Sequence, residues 1–276
     1  MKIGIVGQGY VGTAVKEVFS KHYKTNTFDL NGDCTCTDIE DLVDKSDIIF
    51  VCVPTPMKKD GSCDTSIVEG VIDNIEDVDI SGKIVAIKST IPPGTTNRLN
   101  KKCKNVSVIF NPEFLTEANF IDDFKNQNRI IIGGERPSTT KLRQVYSLAF
   151  PNAKIVKTGS ITAEMVKYFT NTFLATKVSF ANEMKQICDE LKIDYDKVVE
   201  YSTYDERLGK SHWAVPGPDG KMGFGGSCFP KDINALISIA DKWEIPANVL
   251  MAAWETNLEV RPEEDWRELI GRAITE

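Results

Sequence analysis

The feature that most constrains the fold of this chain is a glycine-rich motif placed directly after an apolar segment at the N-terminus. Lys2–Val6 is predicted to form a strand, and the sequence GQGYVG at residues 7–12 leads from it into a helix predicted over Tyr10–His22. Glycines spaced in this way permit a tight turn, a close approach of the backbone to a pyrophosphate and close packing of helix on strand. The motif therefore predicts the first strand–helix unit of a dinucleotide-binding sheet, with the helix N-terminal amides facing the phosphates.

An acidic residue ends the second predicted strand, Thr25–Asp29. A carboxylate at this place accepts hydrogen bonds from the ribose hydroxyls of NAD and repels the 2′-phosphate of NADP. We therefore predict a site for NAD. Its residues are Gly7, Gly9, Tyr10, Val11, Gly12 and Asp29. The alternative is that the glycines only shape a turn and that Asp29 is a solvated strand end.

Short apolar segments alternate with amphipathic segments through the rest of the first half. The predicted strands are Asp47–Val53, Lys83–Lys88, Val106–Phe110, Arg129–Ile132 and Lys154–Val156, and the predicted helices include Thr65–Ile75 and Ser138–Ala149. Continuous apolar runs such as DIIFVCV are typical of strands that are covered on both faces. The pattern predicts an α/β fold, with a Rossmann-type, doubly wound and mostly parallel sheet over residues 1–159.

The composition changes after Gly159. From Ser160 to Lys192 the sequence contains no glycine or proline and follows a helical period. This segment predicts one long helix of about 45 Å, at about 1.5 Å per residue. It is followed by predicted helices at Tyr195–Ser202, Lys231–Lys242 and Pro246–Val260, with a Gly/Pro-rich loop at Gly209–Gly226. Residues 160–276 are thus predicted to form an all-helical domain, onto which the charged tail docks through Trp266.

A cysteine lies where one of these helices is predicted to begin, in the sequence FGGSCFPKD at residues 224–232. Pro230 is typical of a first helical turn, so Cys228 is predicted at the helix N-terminus beside Lys231. A helix N-terminus and a nearby lysine both lower the pKa of a thiol. The flanking glycines let the backbone approach a ligand. Asp232 lies one turn away and could orient or activate water. The combination predicts a nucleophilic thiolate, and the alternative is an inert buried cysteine at a tight turn.

The long helix carries a row of polar residues. Lys167, Asn171 and Asn182 fall within about 60° of one another at about 100° per residue. The row is interpreted as a buried, functional polar face. The alternative is the solvated flank of an amphipathic helix.

Charge and composition argue against several functional classes. The net charge of −7 and the pI of about 5.1 disfavour nucleic-acid binding, because basic residues are needed to contact phosphates. The apolar runs are too short to cross a bilayer. His22 and His212 are isolated, so no metal site is predicted. Seven irregularly spaced cysteines and no recognisable signal peptide predict a reduced, cytoplasmic protein.

Seven motifs in a fixed order carry a resemblance to a known family. They are GQGYVG, VPTP (Val53–Pro56), KSTIPPGTT (Lys88–Thr96), NPEFLTEA (Asn111–Ala118), AEMVKYFTNTFLATKVSFANE (Ala163–Glu183), DERLG (Asp205–Gly209) and GFGGSCFPKD (Gly223–Asp232). The chain resembles the UDP-glucose/GDP-mannose dehydrogenase family over these motifs. The resemblance implies oxidation of the C6 alcohol of a nucleotide sugar to a carboxylate with two NAD, above all UDP-glucose to UDP-glucuronate, in polysaccharide biosynthesis.

The resemblance also implies roles for individual residues. Cys228 resembles the nucleophile that forms a thiohemiacetal and then a thioester, and Asp232 the carboxylate that orients water. Lys167 and Asn171 resemble the pair that holds the C6 oxygen, and Thr90 and Glu113 the residues that order water and assist proton transfer. The implied cofactor contacts add Val53, Thr55, Pro56, Glu117 and Lys231. The implied substrate contacts are Glu113, Phe114, Leu115, Lys167, Asn171, Arg207, Phe224 and Gly225.

Arg207 resembles the arginine that reaches the sugar site of a neighbouring subunit, which implies a homodimer through the helical domain. The family normally continues into a second domain that binds UDP or GDP, whereas this chain reaches only Glu276, and its charged tail is interpreted as a natural ending. Two alternatives are kept. One is a dehydrogenase of the β-hydroxyacid type that stops after one hydride transfer, and the other is a non-catalytic NAD-binding partner subunit.

Overall fold

The computed structural model of the protein describes residues 1–78 and 80–276, which form two compact units. The first unit comprises Met1–Thr55 and Thr65–Lys167, and the second comprises Pro56–Asp64 and Tyr168–Glu276. The change of composition at Ser160 marks the start of a long helix, whereas the units divide inside that helix. The short segment 56–64 belongs to the second unit although the chain around it belongs to the first.

A seven-stranded sheet forms the centre of the first unit. Its strands are β1 (Lys2–Val6), β2 (Lys24–Phe28), β3 (Ile48–Val51), β4 (Lys83–Ile87), β5 (Val106–Phe110), β6 (Arg129–Gly133) and β7 (Lys154–Thr158). They are arranged in the order β2-β1-β3-β4-β5-β6-β7. Neighbouring strands are parallel except for β5 and β6, which are antiparallel. The predicted mostly parallel, doubly wound sheet is confirmed.

The sheet is buried on both faces, which explains its continuous apolar strands. In β3, Ile48 and Phe50 belong to one apolar cluster, whereas Ile49 and Val51 belong to another. Because successive side chains of a strand point to opposite faces, the two clusters lie on opposite sides of the sheet. An alternating pattern would leave one face to solvent, and the sequence DIIFVCV has no such alternation.

Six helices connect the strands of the first unit. They are α1 (Tyr10–Phe19), α2 (Ile39–Asp44), α3 (Ser66–Asp77), α4 (Thr95–Lys102), α5 (Phe120–Lys125) and α6 (Ser138–Ala149). Three of these helices, α2, α4 and α5, are not predicted from the sequence pattern. The first and last of these three have only six residues, too few to show a helical period. In α4, Leu99 is the single large apolar residue of the sequence TTNRLNKK.

The second unit is helical, as predicted. Helix α7 (Ser160–Glu190) begins in the first unit and continues into the second, and it is followed by α8 (Tyr195–Ser202), α9 (Phe229–Asp241) and α10 (Asn248–Val260). Short 3₁₀ turns span Glu206–Leu208 and Asp265–Glu268. In the part of the chain that the structure describes, no helix combines the length and apolar character needed to cross a bilayer.

The C-terminal tail docks onto the second unit. Trp266 is only 1% exposed. The amide of Met57 donates to the carbonyl of Ala273 at 2.8 Å, and the amide of Thr275 donates back to the carbonyl of Met57 at 2.9 Å. These bonds join the tail to the segment 56–64 and confirm the prediction that the tail docks through Trp266.

Candidate functional site

The glycine-rich turn between β1 and α1 has the geometry that its sequence predicts. Gly7 has φ of +90°, and a Cβ atom there would lie 2.6 Å from the carbonyl oxygen of Cys52. A Cβ at Gly12 would lie 1.8 Å from the carbonyl oxygen of Gly7. At Gly9, the residue that precedes α1, a Cβ would meet no described atom within 4 Å. Two glycines therefore make the turn possible, and the third leaves its backbone open to a ligand.

Asp29 lies against this turn, immediately after β2. Its Oδ2 accepts a hydrogen bond from the amide of Gln8 at 2.5 Å, and its Oδ1 accepts one from the amide of Asn31 at 2.9 Å. Tyr10 at the start of α1 is 41% exposed and lies against the ring of Phe120. The predicted NAD-binding residues of the first unit are thus gathered at the carboxyl end of β1, where a Rossmann-type sheet holds its cofactor. An open glycine backbone with a carboxylate beside it fits a dinucleotide.

Two further predicted cofactor residues follow the neighbouring strand β3. Val53 is half-buried, Thr55 is buried, and the hydroxyl of Ser89 donates to the carbonyl of Val53 at 2.6 Å. Because β1 and β3 pair in parallel, their carboxyl ends lie side by side. Glu117 is half-buried. Contacts of these residues with NAD stay predictions.

A buried ion pair joins α7 to the segment after β5. Lys167 Nζ lies 3.0 Å from Glu113 Oε1, with side-chain exposures of 2% and 9%. The same ammonium donates to the carbonyl of Glu113 at 2.8 Å and lies 5.5 Å from the centre of the Phe114 ring. The amide of Leu115 donates to Glu113 Oε2 at 2.6 Å. Four residues predicted from the family motifs therefore lie together in the first unit.

The ion pair decides the charge of Glu113. Burial alone raises the pKa of this carboxyl group, but the charge of Lys167, the Leu115 amide and the Lys167 hydrogen bond together outweigh burial. The pKa of Glu113 is consequently lower than usual, and the carboxylate is ionised at neutral pH. An ionised carboxylate is able to accept a proton, and the adjacent ammonium can stabilise an oxyanion.

Lys88, which sequence analysis did not select, lies in the same buried environment. Its Nζ donates to the carbonyl of Asn111 at 3.1 Å, and it lies 3.4 Å from the Tyr146 hydroxyl. Burial lowers the pKa of Lys88 to about 8, although the charges of Cys52 and Glu113 act in the opposite direction. The feature of the sequence that could have identified Lys88 is its position directly after the apolar strand KIVAI. Thr90, two residues further on, is buried.

Cys228 occupies the N-terminal position that its sequence predicts. It is the cap residue of α9, Pro230 lies in the first turn, and the amide of Asp232 donates to the carbonyl of Cys228 at 3.0 Å. The cysteine is half-buried, so it is not enclosed in the core. Amides at a helix N-terminus favour a negatively charged sulfur.

A buried carboxylate network lies in the first turn of the same helix. Lys231 Nζ lies 2.5 Å from Asp232 Oδ1, and Asn171 Nδ2 donates to Asp232 Oδ2 at 2.6 Å. Burial lowers the pKa of Lys231, but the negative charges of Asp232, Cys228 and Cys63 outweigh burial and raise it above the usual value. Lys231 therefore remains a cation beside the thiol. Cys63, which the sequence motifs do not single out, contributes to this environment.

The polar row on α7 is buried. Lys167, Asn171 and Asn182 are each less than a tenth exposed, so the interpretation as a solvated flank is wrong. Asn182 has a role in the second unit, because its Oδ1 accepts a hydrogen bond from the amide of Gly223 at 3.1 Å. Hydrogen bonds to other groups of the protein fix all three side chains.

The glycines before Cys228 were predicted to let the backbone approach a ligand, but the structure shows a different role for Gly225. A Cβ at Gly225 would lie 2.3 Å from Nη2 of Arg261 and 2.4 Å from Oδ1 of Asp265. The missing side chain thus makes room for an ion pair of the protein itself. The ring of Phe224 is buried among apolar residues, and its amide donates to Asn257 Oδ1 at 2.7 Å. Substrate contacts of Phe224 and Gly225 stay predictions.

Arg207 lies on the surface of the second unit. Its side chain is 89% exposed, and its Nε lies 2.9 Å from both carboxylate oxygens of Asp205. The role of Arg207 at a neighbouring subunit stays a prediction. Among residues 1–78 and 80–276, no group of three or more His, Cys, Asp or Glu side chains is arranged to hold a metal ion.

The chain is similar to known proteins in both sequence and structure. The model described as the UDP-glucose/GDP-mannose dehydrogenase family, NAD binding domain, matches residues 27–149. The model of the central domain of the same family matches residues 161–259. The two matches follow each other along most of the chain.

Individual relatives agree with the family models. The chain is 36% identical over 222 residues to a UDP-glucose 6-dehydrogenase from Rickettsia prowazekii, covering 78% of this chain and 50% of the relative. It is 36% identical over 227 residues to the UDP-glucose 6-dehydrogenase TuaD from Bacillus subtilis, covering 80% and 48%. A solved UDP-glucose dehydrogenase from Pyrobaculum islandicum matches with a TM-score of 0.85 and 29% identity, covering 97% of this chain and 70% of that one. The chain thus spans about half the length of the curated relatives that it matches.

Proposed function

Because this chain belongs to the UDP-glucose/GDP-mannose dehydrogenase family, we propose that it oxidises the C6 alcohol of a nucleotide sugar to a carboxylate through a thioester on Cys228. UDP-glucose is the proposed substrate, with UDP-glucuronate as product. One observation carries the proposal. The thiol begins helix α9, and the first turn of that helix also holds the cation of Lys231 and the buried carboxylate of Asp232.

The first unit supplies the proposed cofactor site. The open backbone at Gly9 and the carboxylate of Asp29 would hold the pyrophosphate and the adenosine ribose of NAD. When bound, NAD would accept one hydride, so the two hydrides that the oxidation of an alcohol to an acid releases require two NAD in succession. The carboxylate of Asp29 disfavours the 2′-phosphate of NADP by charge repulsion.

The proposed role of Cys228 is to convert the aldehyde formed by the first oxidation into an ester of the enzyme. The thiolate forms a carbon–sulfur bond with the aldehyde carbon, and the aldehyde oxygen takes up a proton to give a thiohemiacetal. Loss of a hydride and of that proton leaves the thioester. Water then adds to the thioester carbon, and the carbon–sulfur bond breaks to release the acid and the thiol.

Asp232 is the proposed orienting group for this water. One of its oxygens is bonded to Lys231 and the other to Asn171, so its position is well defined. Each carboxylate oxygen has two lone pairs, and one on each oxygen remains for a further donor. Lys231 and Asn171 therefore hold the carboxylate in place without saturating it.

The proposed proton transfers in the first oxidation use the pair of Lys167 and Glu113. The ammonium of Lys167 would stabilise negative charge on the C6 oxygen, as a preorganised donor does in an oxyanion hole. Glu113 is ionised, because its pKa is lower than usual. It is thus able to receive the hydroxyl proton, directly or through water.

The protein is also proposed to form a homodimer through α7. Phe169, Phe173 and Phe180 are 66%, 61% and 50% exposed. The same stripe continues with Ile187 and with Leu191, the residue directly after α7. At about 100° per residue the five positions lie within about 40° of one another, over about 33 Å. An apolar stripe of this size is typical of an interaction surface. A second copy offers an identical stripe, as a two-fold symmetric interface requires.

The decisive experiment measures NADH release from UDP-glucose, UDP-N-acetyl sugars and GDP-mannose, with NADP in place of NAD as a cofactor control. The proposal expects two NADH for each acid formed. Cys228→Ser is expected to release at most one NADH and to accumulate aldehyde, whereas Cys34→Ser, which changes a half-buried thiol of the first unit, keeps both.

Other outcomes point to other functions. One NADH per sugar in the unaltered protein, with no acid formed, would identify a single-step dehydrogenase. NAD binding with no turnover of any nucleotide sugar would identify a non-catalytic partner subunit. Acid formation by Cys228→Ser at the rate of the unaltered protein would exclude the thioester.

A further inference from the structure

A buried arginine lies at the end of α10. The side chain of Arg261 is 2% exposed. Its Nε donates to Asp265 Oδ1 at 2.6 Å, its Nη2 to Asp219 Oδ2 at 2.7 Å, and its Nη1 to the carbonyl of Met222 at 3.1 Å. Burying a guanidinium is unfavourable unless its donors are paired in this way. The arginine therefore joins the segment that follows α10 to the loop that precedes Cys228.

The second oxygen of Asp265 extends this network to the thiol segment. Asp265 Oδ2 accepts a hydrogen bond from the amide of Gly226 at 3.3 Å. Gly226 has φ of +69°, a left-handed conformation that turns the chain toward α9. At Gly225, the guanidinium and the carboxylate occupy the space in which a side chain would lie. The ion pair is thus packed directly against the two glycines that precede Ser227 and Cys228.

We propose that Asp265, held by Arg261, is a positioning residue for the thiol of Cys228. This inference rests on the proposed function of Cys228 as a nucleophile. Asp265 touches neither substrate nor cofactor in this role. It fixes the turn at Gly225 and Gly226, and the turn fixes the direction in which the chain enters α9.

Positioning of this kind matters because covalent catalysis depends steeply on geometry. A displacement of about 1 Å in a reacting group can lower a rate by about a hundredfold. The two glycines have no side chains of their own to restrict the backbone. The restriction comes instead from the Asp265 carboxylate, which the Arg261 guanidinium holds. The guanidinium itself also donates to Asp219 and to the carbonyl of Met222.

The test compares Asp265→Asn with the matched control Asp219→Asn. Both changes replace a carboxylate that pairs with Arg261, but only Asp265 also accepts the Gly226 amide. Arg261 and Gly226 donate to different oxygens of Asp265, and Asp265→Asn replaces one of these oxygens by an NH2 group, which cannot accept, so one of the two hydrogen bonds is lost. In Asp265→Asn we expect the backbone amides of residues 223–228 to exchange about tenfold faster than in the unaltered protein, as measured by hydrogen–deuterium exchange.

In the enzymatic assay, we expect Asp265→Asn to lower kcat for acid formation about tenfold and to reduce the NADH released per sugar below two. KM for NAD should stay within about twofold, because the turn contains none of the predicted cofactor residues. Asp219→Asn should change exchange and stoichiometry much less than Asp265→Asn does, because Arg261 keeps its bonds to Asp265 and to the carbonyl of Met222. Thermal unfolding of both variants is measured in parallel, and Asp265→Glu replaces Asp265→Asn if the latter does not fold.

Two results would overturn the positioning role. One is unchanged exchange and an unchanged yield of two NADH in folded Asp265→Asn, and the other is an equal loss in Asp219→Asn. A failure of the proposed function is distinguishable from either, because it is seen as absence of NADH release in the unaltered protein. The exchange measurement does not depend on activity and still tests the contact at Gly226 in that case.

Discussion

Asn171 Nδ2 donates a hydrogen bond to Asp232 Oδ2 at 2.6 Å, and this bond joins α7 to the first turn of α9. The second oxygen of the carboxylate is paired with Lys231 at 2.5 Å. Asp232 is therefore a buried carboxylate with a different donor on each oxygen. The proposed release of acid from Cys228 depends on this arrangement, because it fixes the group that orients water.

Asn171→Ala is expected to slow release of the acid more than it slows the two oxidations. The change leaves a buried carboxylate oxygen without its donor, which lowers the free energy of unfolding by about 1–3 kcal/mol. Mass spectrometry of the protein under turnover should then show a covalent adduct at Cys228. Asn234→Ala is the control, since Asn234 lies on the same helix as Asp232 and bonds to Pro230. Equal adduct levels in the two variants would contradict the assigned role of Asp232.

Lys167→Met is expected to abolish sugar oxidation and to destabilise the first unit. Breaking a buried ion pair by removing one partner lowers the free energy of unfolding by about 3–5 kcal/mol, because a buried charge remains. The pKa of Glu113 should then rise, since its largest lowering influence is the charge of Lys167.

The double variant Lys167→Met with Glu113→Gln serves as the control for stability. Because it removes both charges, it should recover most of the lost free energy of unfolding in denaturant titrations while remaining inactive. Recovery of activity together with stability would show that the pair is only structural.

Lys88 is expected to make the stability of the protein depend on alkaline pH. Its pKa falls from the usual 10.5 to about 8 in the folded protein, mainly because the ammonium is buried. Between these values the unfolded chain binds more protons, so the free energy of unfolding rises with pH. From pH 8 to pH 10 the gain is about 2–3 kcal/mol, at about 1.4 kcal/mol per pKa unit.

This gain is measured as the difference between the unaltered protein and Lys88→Met in urea titrations at several pH values. Lys141→Met is the control, because Lys141 is exposed on α6. As pH rises, the free energy of unfolding of the unaltered protein should increase relative to that of Lys88→Met. Relative to Lys141→Met it should not change with pH. If the difference in free energy of unfolding between the unaltered protein and Lys88→Met does not change with pH, the pKa of Lys88 is not lowered.

Phe173→Asp is expected to convert the proposed dimer into a monomer. The residue is 61% exposed in the middle of the apolar stripe of α7. In a symmetric interface both subunits would bury the new charge, and each burial is unfavourable. Sedimentation velocity of the purified protein measures the change. Leu148→Asp, at a 58% exposed position of α6, is the control and should leave the mass unchanged. If the unaltered protein sediments as a monomer, the proposed dimer is wrong.

Local patterns were sufficient to predict most of the elements and the two chemical motifs. The turn at residues 7–12, the apolar strands and α7 each follow from short stretches of sequence, because turns, strand burial and helical period are properties of neighbouring residues. The same holds for Cys228 as the cap of α9, since Pro230 marks the helix start. Helices α2 and α5 were missed because six residues hold too little periodic information.

The sequence by itself thus determined the α/β class, the glycine-rich turn, the long helix and the position of the thiol at a helix N-terminus. Only the tertiary structure decided which charged groups are paired, such as Lys88 with Asn111 and Asp265 with Gly226, whose partners lie 23 and 39 residues apart in sequence. The physical reason is that a hydrogen bond or an ion pair depends on distance in space. A backbone period repeats every two or about four residues and is visible locally, whereas pairing across the fold leaves no periodic trace.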